Sequence, residues 1–175
     1  MTAAPNNSAT DNVQDFADMS AALTGFLSSV LKPRLDPIGL AIAYYQFALA
    51  QLGEADMAAL LNAFRAIRTQ PAQTIADTLL ETKSSGAPSP QALKAQSIVA
   101  LWYLGAWYMP GVQGGNGFPP TPLQIVSSEA YTNGLVWKVM QSHPMGFSAF
   151  TFGYWSQQPG ALSTFGANTS NGGGQ

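Results

Sequence analysis

The sequence predicts an all-α fold, a helical domain of about six helices with a long irregular C-terminal segment. Three observations predict it. From Phe16 onward, apolar residues recur every three or four positions, the spacing that builds one face of a helix. Asp36-Pro37 and Ser89-Pro90 each pair a capping side chain with a proline at the first helical position, where its missing N–H costs nothing. Gly53, Pro71 and Pro110-Gly111 then punctuate the periodic stretches where helices should stop.

The elements follow in order. Asp11 and Gln14 form a capping pair ahead of Phe16, Met19, Leu23, Phe26, Leu27 and Val30, an amphipathic first helix that Lys32-Pro33 stops. Asp36-Pro37 opens a second helix running to about Leu52. Its stretch from Pro37 to Gly53 carries no charge and reads as buried. After Gly53, Met57, Leu60, Leu61, Phe64 and Ile67 define a third helix whose other face carries Asp56, Asn62, Arg65 and Arg68. Pro71 separates it from a short fourth helix marked by Ile75, Ala76, Leu79 and Leu80, and Ser84 to Pro88 is a loop. Ser89-Pro90 starts a fifth helix reaching about Tyr108, apolar all round in its second half. The glycines and prolines between Gly114 and Pro122 cannot hold regular structure. A sixth helix is expected from Ser128 to Met140. Residues 1–10 then read as a flexible N-terminus, 11–160 as a single helical domain, and 161–175 as a Gly/Ser-rich tail, extended over something or disordered.

Composition narrows the functions open to such a chain of 175 residues. Seven Lys and Arg against nine Asp and Glu leave a formal net charge of −2 and no basic stripe to attract nucleic acid or an anionic membrane surface. No cysteine is present, which excludes disulfides, thiolate zinc sites, cysteine-ligated iron–sulfur clusters and thioether-attached haem within this chain. The apolar stretches Pro37–Gly53 and Ile98–Met109 fall short of the about 20 residues a spanning helix needs.

Catalytic constellations are equally scarce. His143, the single histidine, lies between Met140 and Met145, a soft-ligand set suited to Cu(I) but explained as well by methionine filling core space. Asp15 with Asp18, and Glu54 with Asp56, sit at helix starts, where capping and the helix dipole account for them; Glu129 has the same explanation. No Gly-x-Ser-x-Gly elbow occurs. The Gly114–Gly117 cluster lacks the Lys and Ser/Thr of a phosphate loop. No catalytic, cofactor-binding or metal-ligating residue is assigned.

Charge and aromatic residues divide the chain unequally. From Ala95 to Gln175 only Glu129 and Lys138 are charged, yet all four tryptophans lie there. Interface cores are depleted of Lys, Glu and Asp and enriched in aromatics, so this half points to a surface that another chain covers. The candidate contact residues are Trp102, Trp107, Tyr108, Tyr131, Trp137, Phe152, Tyr154 and Trp155. A sugar-stacking platform is a rival use of the same rings. Against it, Trp102 and Trp107, like Tyr103 and Tyr108, fall five apart and so spread around a helix rather than along one strip.

The order of segments resembles the small subunit of membrane-bound, FAD-dependent sugar and polyol dehydrogenases. The residues that carry the resemblance are Asp15-Phe16, Leu23-Thr24-Gly25-Phe26, Leu35-Asp36-Pro37 and Ile98 through Trp102-Tyr103-Leu104-Gly105 to Trp107-Tyr108. Further on, Glu129-Ala130-Tyr131, Leu135, Trp137, Phe152-Gly153-Tyr154-Trp155 and Pro159 extend it, so that it spans roughly residues 13–160. The resemblance implies a non-catalytic partner in a sorbitol- or fructose-type dehydrogenase complex. In that family a large subunit carries FAD, an iron–sulfur cluster and the catalytic residues, and a multihaem cytochrome c subunit passes electrons to quinone at the periplasmic face of the inner membrane. The small subunit supports folding, maturation and export of the large one. Its usual twin-arginine leader is not in this sequence, whose start reads as that of a mature chain or one with its leader removed. Some relatives carry a cysteine where this chain has Gly146 to Phe150, so the resemblance implies a non-covalent complex here. The alternative from another class is a self-standing periplasmic helical module that binds a sugar or lipid.

Overall fold

In the computed structural model, residues 9–111 and 124–142 are described, together with Ser163 and Gly166. The chain is mainly helical, as its periodicity predicts. The order is α1 (Ala9–Thr24), α2 (Ser28–Leu31), α3 (Leu40–Leu52), α4 (Glu54–Ile67), α5 (Ala72–Leu80) and α6 (Pro90–Leu104), then β1 (Ala106–Trp107), β2 (Gln124–Ile125), α7 (Ser128–Thr132) and α8 (Leu135–Val139). The two short strands pair antiparallel, Ala106 opposite Ile125 and Trp107 opposite Gln124.

One core joins these elements. Phe16 and Met19 of α1, Tyr44 of α3, Leu60 of α4 and Ile98, Leu101 and Trp102 of α6 are among its most buried large side chains. α1 packs against α3, α4, α5 and α6, and α8 closes against α6. No helix among the described residues is long and apolar enough to cross a membrane.

The helix limits differ from the sequence reading where backbone conformation overrides apolar spacing. α1 ends at Thr24 rather than Val30, because Gly25 turns to φ 77° and Thr24 Oγ1 donates back to the Ser20 carbonyl at 2.7 Å. Asp11 falls inside its first turn instead of ahead of it. α3 begins at Leu40. The Asp36 carboxylate accepts from the Gly39 N–H at 2.7 Å and shapes the loop before it, so Pro37 precedes the helix. Nor is α3 wholly buried: Ala41, Tyr44, Tyr45 and Ala48 face the core, while Ile42, Gln46 and Ala50 form an exposed stripe. α4, α5 and the start of α6 lie where the sequence puts them, with Ser89 Oγ accepting from the Ala92 N–H at 3.2 Å.

Two glycines cut the later helices short. α6 stops at Leu104, not Tyr108, because Gly105 adopts φ 65° and its backbone runs against the Ala130 carbonyl, leaving no room for a side chain. The expected helix from Ser128 to Met140 is two short ones. They separate at Asn133-Gly134, where a Cβ on Gly134 would lie 2.7 Å from the Tyr103 carbonyl oxygen. From the tail, Gly166 rests against Val30 and accepts the Leu27 N–H at 3.1 Å. The loop expected from Gly114 to Pro122, and the aromatic segment from Phe147 to Trp155, lie outside the described residues.

Candidate partner interface

The aromatic residues of the charge-poor half divide by burial. Trp102 and Trp107 are each 2% exposed and belong to this chain's own core, which corrects the expectation that they meet a partner. Trp102 lies edge-on to Tyr44, centroids 4.7 Å apart at 89°, and also packs on Phe16. Burial in that cluster pushes the Tyr44 phenol far above its ordinary pKa, and its hydroxyl donates to the Ala130 carbonyl at 3.3 Å. Trp107 is turned inward by the strand that replaces the end of α6, and meets the edge of Phe47 at 6.2 Å. Among the described residues neither indole N–H has an acceptor. Neither ring offers an open face to a sugar.

Tyr108, Tyr131 and Trp137 are half-buried. Tyr131 and Trp137 form an edge-to-face pair 5.4 Å apart, and Trp137 Nε1 donates to the Tyr131 carbonyl at 2.8 Å. Tyr108 lines a shallow cavity of about 160 Å³ with Leu93, Met109 and Gly111. The structure thus brings Tyr131 and Trp137 together, on elements apart from Tyr108. Phe152, Tyr154 and Trp155 lie outside the described residues, as does His143.

The exposed apolar residues are different ones. Leu104, Met109, Ile125, Val139 and Met140 surround the end of α6, β2 and α8. A second set surrounds the entrance to α3: Leu35 is 89% exposed, and Ile38 and Ile42 are 48% exposed each. Sequence reasoning missed this second set. The signal was present in Lys32-Pro33-Arg34-Leu35-Asp36-Pro37, where a leucine between two prolines belongs to no helical stripe and must stand out from the chain.

The carboxylates are engaged structurally. Asp15 receives Arg65 Nε at 2.6 Å, with Arg68 at 4.0 Å, and Arg65 also donates to Asn12 and Asn62. Asp18 accepts from Gln14 and from the Ser28 hydroxyl, so the Asp15–Asp18 pair is divided between two networks. Asp56 pairs with Lys94 at 2.6 Å. Asp77 is held down to a pKa of about 2 by hydrogen bonds from Lys83, Thr82 and Gln73. Glu81, in the left-handed turn after α5, is lowered by donors on Ser89. No group of three or more metal-ligating side chains is assembled among the described residues.

Asp15 and Asp18 border a cleft of about 350 Å³ between α1, α2 and the α4–α5 turn, lined also by Phe26, Leu27, Arg68 and Ile75. Both acids are engaged by internal partners, Asp15 by Arg65 and Asp18 by the neutral donors Gln14 and Ser28. Compared with models of protein families and with curated proteins, the chain matches none.

Proposed function

We propose that this chain is the non-catalytic small subunit of a membrane-bound, FAD-dependent sugar or polyol dehydrogenase of sorbitol or fructose type. It assists the folding, maturation and export of a large subunit that carries FAD and an iron–sulfur cluster. A multihaem cytochrome c subunit completes the complex at the periplasmic face of the inner membrane, and the chain meets the membrane through that complex.

The observation that carries this reading is the large apolar exposure left on an otherwise complete core. Leu35 at 89% and Met140 at 64% are open to solvent, while Trp102 and Trp107 are already spent inside. Exposed apolar patches of this kind mark contact sites on soluble chains. The segments that resemble the dehydrogenase small subunits add support. Their residues Phe16, Phe26, Trp102, Tyr103, Gly105 and Ala130 pack together here, whereas Leu35 of Leu35-Asp36-Pro37 projects outward. The engagement of Asp15, Asp18, Asp56 and Asp77 in internal contacts fits a role without chemistry of its own.

The test is to express the large subunit of an FAD-dependent sugar or polyol dehydrogenase with and without this chain. The expected result is loss of soluble, flavin-loaded large subunit when this chain is omitted. Equal yield and flavin content in both cultures would overturn the proposal.

A further inference from the structure

α3 carries no charge from Leu40 to Leu52, yet one side of it faces solvent. A helix without charge is normally buried, so an open uncharged side marks a contact. Ile42, Gln46 and Ala50 recur every four residues along that side, with half-buried Ala43 and Leu49 at its flanks. Gln46 is the seventh of the thirteen residues and stands at the middle of the helix. The side is thus arranged evenly about one amide, with Ile42 and Ala50 about 6 Å to either side of it along the axis and Ala43 and Leu49 about 4.5 Å.

Charge is confined to the two ends of this side and is opposite in sign. Before the helix, two bases, Lys32 and Arg34, outnumber one acid, Asp36, whose carboxylate accepts the Gly39 N–H. After it, Glu54 is exposed and enters no ion pair among the described residues, while Asp56 is paired with Lys94. One excess positive charge precedes α3 and one negative charge follows it.

Such a pattern is its own complement when inverted. In an antiparallel pair of α3 helices related by a two-fold axis at Gln46, each Ile42 comes level with Ala50 of the other copy and each Ala43 with its Leu49. A large side chain then sits beside a small one at both levels. The two Gln46 amides meet at the axis, where each donates to the other and accepts from it. The net positive loop of each copy comes beside Glu54 of the other. A lipid surface leaves the Gln46 amide without a partner. A larger protein needs an amide midway and opposite charges at the two ends to match this side, whereas a second copy already carries all three.

We infer that two copies of this chain pair through the open side of α3, antiparallel, about a two-fold axis at Gln46. A contact built on one helix about 20 Å long belongs with small, dissociable interfaces, so the dimer forms as concentration rises. The inference is independent of the small-subunit reading, which draws on Leu35 and Met140.

The chain has no cysteine, so introduced thiols report the pairing directly. In the whole chain, Gln46→Cys should oxidise to a covalent dimer about tenfold faster than Thr78→Cys, which is exposed on α5. Ile42→Cys alone should not, because its mate lies about 12 Å away along the axis, whereas Ile42→Cys combined with Ala50→Cys should. Sedimentation of the unmodified chain should show a dimer fraction that grows with concentration. Ile42→Asp should weaken the dimer about tenfold with an unchanged helical circular dichroism spectrum. Arg34→Glu and Glu54→Arg should each weaken it, and the two combined should restore it. Oxidation of Gln46→Cys no faster than Thr78→Cys, or of Ile42→Cys as fast as Gln46→Cys, would overturn the pairing. So would an unmodified chain that stays monomeric, whether a crosslinker at Ile42 then captures the large subunit or the chain sediments with vesicles of phosphatidylethanolamine and phosphatidylglycerol.

Discussion

α4 is joined by charge to α1, Arg65 on Asp15, and to the start of α6, Lys94 on Asp56, both at 2.6 Å, whereas around the end of α6, α7 and α8 the joints are hydroxyl and indole donors on backbone carbonyls. In the second region Tyr44 reaches Ala130, Tyr103 reaches Thr24 at 2.9 Å, and Trp137 reaches Tyr131. The two regions share one core and differ in what they leave over. Paired acids and bases give the first a finished, wettable exterior. The second turns its tyrosine hydroxyls and the Trp137 indole inward and leaves Ile125, Val139 and Met140 at the surface. The lesson is that scarcity of charge did not send every tryptophan to an interface. It allowed two of them to become core.

Truncation should separate the regions most sharply. Trp102→Ala removes the ring that joins Phe16 and Tyr44, and is expected to cost about 3–5 kcal/mol, read from the urea midpoint of the isolated chain. A cost below about 1 kcal/mol would show that the aromatic cluster is not what holds α6 to α1 and α3. In the charged region, Asp15→Ala leaves Arg65 half-buried without its carboxylate and should cost about 1.5–3 kcal/mol, with Asp15→Asn retaining part of it. Equal stability of all three chains at low and high salt would remove the distinction between the regions. Tyr103→Phe keeps the packing on Phe26 and deletes only the bond to Thr24, so a loss of about 0.5–1.5 kcal/mol is expected.

The smallest effect concerns acid. Asp77 and Glu81 both have folded pKa values below their unfolded ones, so their contribution is complete above the usual carboxylate range near 4 and fades as pH falls through the folded values, about 2 for Asp77. An NMR titration of Asp77 should show that low midpoint, and Lys83→Ala should raise it because Lys83 supplies the largest lowering interaction. An unmoved midpoint would mean that Thr82 and Gln73 hold the carboxylate without the ammonium.

Much of the helical order was legible because its signals are local. Pro71 before α5, Gly53 between α3 and α4, and the Ser89-Pro90 cap act through their own dihedrals and donors, and need no tertiary partner. Gly25, Gly105 and Gly134 were not legible. The apolar spacing runs through each of them, and two of the breaks are imposed by another segment's carbonyl lying where a Cβ would go. The same non-local cause hid the fate of the tryptophans. A spacing of five places Trp102 and Trp107 on different sides of a continuous helix, but once Gly105 ends α6, the strand at Ala106 brings Trp107 back to Phe47. At the candidate interface, the missing charge between Pro37 and Gly53 was visible and was read as burial. Which side of α3 the neighbouring helices would cover depends on α1, α4 and α6 together, and periodicity is uninformative when both sides are apolar.

The contact between Gly166 and Leu27 bears on how the chain is made. Leu27 leaves the ribosome long before Gly166 does, so during synthesis the Leu27 N–H and the flank of Val30 wait without the partner they have in the finished fold. The helices that follow can assemble in that interval, but the corner between α1 and α2 is completed among the last events of biogenesis. A nascent chain stalled before Gly166 should therefore present this corner to chaperones or proteases after the rest of the core has closed.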